Sequence, residues 1–456
     1  MIAATAPRRA RLFTRVRART HWNSERIAAW QAVQLSKLIH YCWKYVPYYR
    51  SRWAPFISGP ADIRGIADLE RLPILTKDEL RQELTSLTTT NRRIRSSVAK
   101  SGGSTGRPTV FRMTPYDEEL TWAQMYVGWS WAGFRIGEPF LVVGGESIGV
   151  ALTDRRTLRD WVMNRWVSSG SNLTLERARA LASSPQFGRI RFIYGYPNAI
   201  RELGELLREL KAKPPLLRGI VCTAEVMRKE VRESIAGVFG VPVLDQYGLN
   251  DGGLLAIEGP ERNGLHVFFY RAILEILDDN NRQISEFGKP GRAVATCLSN
   301  LATPFVRYET GDDVHWQTRE PSPSGIHWPR IGPVDGRTGD VIYLPSGRRI
   351  AMPGLTLVMR WIDGLRQYQF LQTGPKDVTV VLDREPQFGM SEAEVKDYLR
   401  SKIANEIEWT IRWGAPELTR NHKFLIIRND WLRNQMSSAS ERSVSEIRNE
   451  NANEIA

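Results

Sequence analysis

Apolar and polar positions recur with two different rhythms along this chain, and the change from one to the other maps its organisation. From Glu25 to Tyr45, the apolar residues Ile27, Trp30, Leu35, Leu38, Ile39, Cys42 and Trp43 fall near helical spacing, and Val46-Pro47 closes the run. This pattern predicts one amphipathic helix. Thr76 to Leu80 reads as the start of a short helix, with Thr76 as N-cap and Glu79 completing a capping box. Tyr116 to Trp131 is aromatic-rich and helical in pattern, and Phe140-Leu141-Val142-Val143 before Gly144-Gly145 reads as a buried strand and turn. Strand and helix then alternate: Ile190 to Tyr194, Leu217 to Cys222 and Val241 to Leu244 are strand-like, with helical patterns at Asn198 to Leu210 and Met227 to Phe239 between them. That order implies parallel βαβ units.

Beyond Gly253 the texture changes. Leu265 to Tyr270, Ala272 to Leu277 and Ala293 to Leu298 are strand candidates separated by turn-forming residues, which predicts an antiparallel subdomain. From Gly336 onward, strand patterns at Val341 to Leu344, Gln367 to Gln372, Val378 to Leu382 and Phe424 to Ile427, with a helix from Ser391 to Ala404, predict a small α+β domain. The fold class expected is α/β: a large N-terminal domain over 25–335, a hinge at 336–340 and a small mobile domain over 341–435. Residues 1–24 read as a basic, poorly ordered arm, and 436–456 as a disordered tail rich in Ser, Glu and Asn.

A length of 456 residues supports a large domain and a smaller one. The formal charge of +13 is partly local, because Arg8, Arg9, Arg11, Arg15, Arg17 and Arg19 all precede Glu25, the first acidic residue. Such a cluster allows peripheral contact with an anionic membrane surface, and a solvated arm is the plainer reading; no nucleic-acid partner is expected. Cys42, Cys222 and Cys297 are far apart among apolar neighbours and read as buried free thiols. No stretch reaches the roughly 20 apolar residues of a membrane span, and the first residues lack the apolar segment of a secretory signal, so a cytoplasmic protein is expected. The six histidines show no metal-binding spacing, so no transition-metal site is expected.

Four segments carry candidate chemistry. Ser101-Gly102-Gly103-Ser104-Thr105-Gly106 combines glycines that let amides approach an anion with hydroxyls that bond phosphate oxygens; read alone, it also suits a flexible linker. Asp245 to Gly253 follows a predicted parallel strand, where ligand sites of open sheets gather. There Tyr247 can stack on a base, Gly248 admits close backbone approach, and Asp251 can ligate a magnesium ion; an Asx-rich turn is the alternative. Arg307 to Asp312 sets a carboxylate just past a glycine turn, suited to two ribose hydroxyls. Gly336 to Asp340 lies where the composition changes.

These segments occur in the order and near the spacing of the adenylate-forming superfamily of acyl-CoA synthetases. The strings YVPYYR, LPILTKDEL, SGGSTGRPT, TAEVM, DQYGLND and VRYETGDD resemble the phenylacetate-CoA ligase and CapK branch, over about Leu35 to Arg428. The resemblance implies that Ser101 to Gly106 wrap the β- and γ-phosphates of ATP. It likewise gives Ala224, Glu225 and Tyr247 to adenine, Asp312 to ribose, and Arg337 to the nucleotide from the domain junction. Lys423, rather than nearby Arg420 or Arg428, matches the lysine that reaches the carboxylate and α-phosphate, while Tyr194, Tyr196 and Pro197 match the acyl-pocket segment.

The pattern also departs from the family: Asn250 stands where Ser or Thr is usual, Asp251 for Glu, His422 for Gly and Gly339 for Asp. The implied reaction is attack of a carboxylic acid, aryl or arylacetic by the nearest likeness, on ATP with Mg2+, giving acyl-adenylate and pyrophosphate, then transfer to coenzyme A. An amine or hydroxyl acceptor is the alternative, and the departures leave a non-catalytic nucleotide-binding relative as a third reading.

Overall fold

Thr114 accepts a hydrogen bond from the Asp117 amide and, with Pro115 beside it, starts a helix that runs to Trp131 in the computed structural model. The structure describes residues 7–100, 110–145, 148–150, 156–170, 173–334, 341–346, 349–351, 355, 358–359, 362–417 and 425–431. The expected tail at 436–456 and hinge at 336–340 lie outside them. The chain divides into two compact units, Met1–Val334 and Asp335–Ala456.

In the first unit a hairpin of β1 (Ser97–Lys100) and β2 (Val110–Met113) precedes one large sheet. Its parallel half runs β4 (Arg165–Ser169), β3 (Phe140–Gly144), β5 (Phe192–Gly195), β6 (Gly219–Thr223) and β7 (Val243–Gly248). From β7 the pairing turns antiparallel through β8 (Leu255–Glu258), β9 (Leu265–Val267), β13 (Arg330–Ile331), β12 (Tyr308–Thr318), β11 (Pro290–Cys297) and β10 (Ala272–Leu277). Because β3, β5 and β6 are covered on both faces, they read as continuous apolar runs instead of alternating ones.

One face is covered by the aromatic helix Pro115–Trp131, whose Trp129 lies 4.6 Å from the Tyr194 ring and 5.4 Å from Phe192 between centroids. Burying a side chain of this size stabilises by about 2–3 kcal/mol. Helices Pro197–Glu209 and Lys229–Phe239 cover the other face through Ile200, Leu203, Ile235 and Phe239. Helix Ser24–Tyr45, capped by Asn23, buries Ile27, Leu35, Leu38, Ile39 and Cys42, as its spacing predicts. The Thr76 and Glu79 capping box is formed, and all three cysteines are buried free thiols.

The N-terminal residues differ from expectation. Pro7–Arg17 is a helix, not an unordered arm, with Leu12 and Val16 buried in the same cluster as Tyr126 and Trp129. Arg9 donates twice to Glu119, at 2.7 and 2.9 Å, and the Arg19 guanidinium lies 4.5 Å from the Trp22 ring and 4.7 Å from that of Tyr270. Tertiary packing on the aromatic helix supplies the order that the arginine-rich composition conceals.

The second unit holds a hairpin of β14 (Val341–Tyr343) and β15 (Arg349–Ala351). Its four-stranded sheet has the order β18 (Glu408–Trp413), β17 (Asp377–Arg384), β16 (Leu365–Gln372) and β19 (Ile427–Asn429). Helix Glu392–Lys402 packs Val395 and Leu399 inward. The last strand falls later than the expected Phe424 to Ile427.

Candidate active site

The end of β7 is fixed from three sides. The Thr223 hydroxyl donates to the Gln246 carbonyl at 3.0 Å, Trp129 Nε1 donates to Gln246 Oε1 at 2.9 Å, and Gln246 Nε2 donates to the Tyr194 hydroxyl at 3.2 Å. Beyond it Gly252 and Gly253 take φ of +83° and +79°, a region that disfavours side chains. A Cβ on Gly253 would also stand 2.8 Å from Cys297 Sγ.

Arg271, which the motif reading missed, underpins this turn. It is buried, donates to the Leu249 carbonyl at 3.2 Å and the Asn250 carbonyl at 3.4 Å, and grips Asp117 at 2.7 and 2.9 Å. Its detectable signal was a lone charge at the entrance to an apolar strand: a buried charge requires a partner.

Two tyrosine–carboxylate bonds join the motifs. The Tyr247 hydroxyl donates to Asp312 Oδ2 at 2.8 Å, and the Tyr308 hydroxyl donates to Asp251 Oδ2 at 3.0 Å. Asp312 and Asp251 are only 4% and 6% exposed. Tyr308 also bridges to Leu75 of the LPILTKDEL segment, where Leu75 N donates to the Arg307 carbonyl at 2.9 Å and Glu309 N to the Leu75 carbonyl at 3.0 Å. Arg307 in turn is buried against Glu275 at 3.0 Å. The strands β7 and β12 stand four steps apart in the sheet, about 19 Å if it were flat. The 2.8 Å bond between them requires the sheet to curl.

The remaining described candidates lie along the neighbouring strand ends. Ala224 has φ of +70°, and Glu225 accepts from Asn198 Nδ2 at 2.9 Å, against the first turn of helix Pro197–Glu209. Tyr194 packs on Trp129, whereas Tyr196 belongs to the cluster on the opposite face with Ile200, so the two rings do not line one wall. Gly248 and Asn250 are exposed. Burial, with Glu258 beside it, pushes the Asp245 carboxyl up to about 7, while Arg232, which pairs with Glu258 at 2.7 Å, acts in the opposite direction.

Ser101 to Gly106, Arg337 and Lys423 lie outside the described residues. What flanks Lys423 is described: Gln369, buried in β16, donates to the carbonyls of both Glu417 and Leu425 at 2.8 Å and accepts from Glu417 N at 2.9 Å. Arg428 is committed to Glu417 at 2.5 Å and Asp430 at 2.8 Å.

No cluster of three His, Cys, Asp or Glu side chains able to hold a metal exists among the described residues. Magnesium held on nucleotide phosphates needs only one or two carboxylates. Asp251 suits that role, since the bond from Tyr308 engages one of its two oxygens and orients the group.

No protein-family model matches the chain. A phenylacetate-coenzyme A ligase of Thermus thermophilus is 28% identical over 345 residues, covering 70% of this chain and 72% of that protein. Protein CapK of Staphylococcus aureus is 22% identical over 329 residues, 70% of each. The solved structure of 2-hydroxyisobutyryl-CoA ligase in the postadenylation state, in complex with R3-HIB-AMP, superposes with a TM-score of 0.71 over 93% of this chain and 94% of that one, at 16% identity. The fold is therefore that of the adenylate-forming ligases, and the likeness in sequence is to the phenylacetate-CoA ligase and CapK branch.

Proposed function

We propose that this chain, built on the adenylate-forming fold, joins a small carboxylic acid to ATP as an acyl-adenylate, releases pyrophosphate, and passes the acyl group to coenzyme A. The observation that carries the reading is the pair of buried carboxylates, Asp251 and Asp312, each held by a tyrosine from the other's motif. One carboxylate suits the ribose hydroxyls and the other a magnesium ion on the phosphates, at the strand end where nucleotides bind in α/β sheets. Bound magnesium would neutralise phosphate charge. Asp251 would hold it, Asp312 would fix the ribose, and Tyr247, Ala224 and Glu225 would border the base.

In the first step a carboxylate oxygen bonds to the α-phosphorus and the bond to pyrophosphate breaks; in the second the thiolate of coenzyme A displaces AMP. Neither step needs a covalent bond to the protein, so catalysis rests on positioning and charge neutralisation. By resemblance, Ser101 to Gly106 would take the departing phosphates, Arg337 the nucleotide, and Lys423 the charge gathering on the α-phosphate. Of the acyl-side segment that the resemblance implies, Tyr194, Tyr196 and Pro197, one of the two tyrosine rings at most would border the acyl group, since they lie on opposite faces; an aryl or arylacetic acid is favoured by the named relatives.

Pyrophosphate release measured over a panel of aryl, arylacetic and aliphatic acids, with and without coenzyme A, tests both steps. An acid-dependent release accompanied by thioester is the expected result. Release without thioester would favour an amine or hydroxyl acceptor, the second reading kept open by the CapK likeness. No release with any acid would defeat the proposal.

A further inference from the structure

We propose that the outward face of helix Pro7–Arg17, together with the short helix Leu158–Val162, docks this protein on an anionic phospholipid surface. The first helix carries Arg8, Arg11 and Arg15 at i, i+3 and i+7, all exposed, while Arg9, Leu12 and Val16 turn inward. No carboxylate pairs with those three outward arginines among the described residues, and no acidic residue occurs before Glu25.

Among the described residues, the acids that border these two helices are already paired. Glu119 is bound by Arg9, Glu118 by Arg159 at 2.7 Å, and Asp160 by Arg165. Among the described residues, the unopposed charge of the first helix's outward face is that of Arg8, Arg11 and Arg15.

The second component is apolar. Leu158, Trp161 and Val162 are 82%, 63% and 40% exposed, an unusual concentration for one short helix. Both helices border one ring of the aromatic helix between them: Arg9 of one and Arg159 of the other each stand 5.6 Å from Trp122. A cationic stripe beside an exposed Trp and Leu is the composition that settles into the headgroup region of a bilayer. Nucleic acid would use the arginines but leave Leu158, Trp161 and Val162 in water, so the lipid surface satisfies both halves of the patch.

The test is sedimentation of the full chain with vesicles of phosphatidylcholine alone and with an equal share of phosphatidylglycerol. Pelleting with the anionic vesicles only, weakened by salt, is expected. The triple variant R8Q/R11Q/R15Q should bind those vesicles roughly 100-fold more weakly, and L158S/W161S about 10-fold more weakly. Both should retain the far-ultraviolet circular dichroism of the parent, and the arginine variant keeps the test decisive if the apolar one does not fold. Equal pelleting on neutral vesicles, or unchanged binding by the arginine variant, would overturn the proposal. So would binding of duplex DNA without vesicle binding, or self-association abolished by L158S/W161S in a protein that ignores vesicles.

Discussion

Tyr308 and Tyr247 each spend a phenolic hydrogen on a carboxylate of the other's motif, and this exchange orients the two acids. Replacing Tyr308 by Phe removes one hydrogen bond to a charged group and little volume. Pyrophosphate release should fall about 10-fold, with a higher magnesium requirement, whereas Asp251→Asn should lower it by about 100-fold or more. A Tyr308→Phe protein with the magnesium dependence of the parent would show that Asp251 does not hold the ion. A different buried residue bears on the response to acid. His266 is fully buried, its Nε2 has no hydrogen-bond partner among the described residues, and burial pulls its pKa from 6.5 down to about 4. Between those values this histidine takes up its proton in the unfolded chain and not in the folded one, so its contribution to stability falls as pH drops through that window. Going from pH 7 to pH 5 should cost the parent on the order of 2 kcal/mol more than His266→Gln, read as the difference between their urea midpoints.

The elements divide into those whose signal is local and those whose signal lies elsewhere in the chain. Helix Ser24–Tyr45 and strands β3, β10, β16 and β17 were legible because their apolar spacing survives every neighbour. Strand β18 was missed although Trp409 and Ile411 alternate inward, because charged Glu408 and Arg412 interleave with them and β18 lies at the edge of its sheet. Strand β4 was missed for a similar reason: its Arg165 is buried only because Asp160 pairs with it. Motif residues Tyr247, Asp251 and Asp312 could be named from sequence because they lie in short, ordered strings. Arg271 shows in the sequence only as a lone charge before an apolar strand, since its partners Asp117 and Leu249 come from two other segments. Removing it with Arg271→Met leaves Asp117 buried without its cation and should destabilise the protein by about 3–5 kcal/mol. Denaturant unfolding measures this, and an unchanged midpoint would deny the pair its structural role. In the second unit Gln369 performs the corresponding service, tying Glu417 and Leu425 at either side of the segment that carries Lys423.

At the scale of the molecule, the alternation of strand and helix up to β7 and the antiparallel pairing after it were both readable, but the point where they meet again was not. Sequence order places Tyr247 and Asp312 65 residues apart, and nothing local announces that a curling sheet returns one to the other. The aromatic packing of Trp129 on Phe192 and Tyr194 joins residues of the helix and the parallel half. Refolding should therefore show burial of tryptophan before pyrophosphate release returns, with the lag shortened by nothing that merely strengthens the parallel half. The curl has a further meaning. The acid proposed for ribose and the acid proposed for the metal belong to a seam, and a seam exists only when both edges have arrived. A chain truncated after β8 would retain Asp251 and the β7 end yet lack both Tyr308 and Asp312, so the proposed nucleotide site has no half-built form: the paired tyrosines and carboxylates exist only once the sheet has closed.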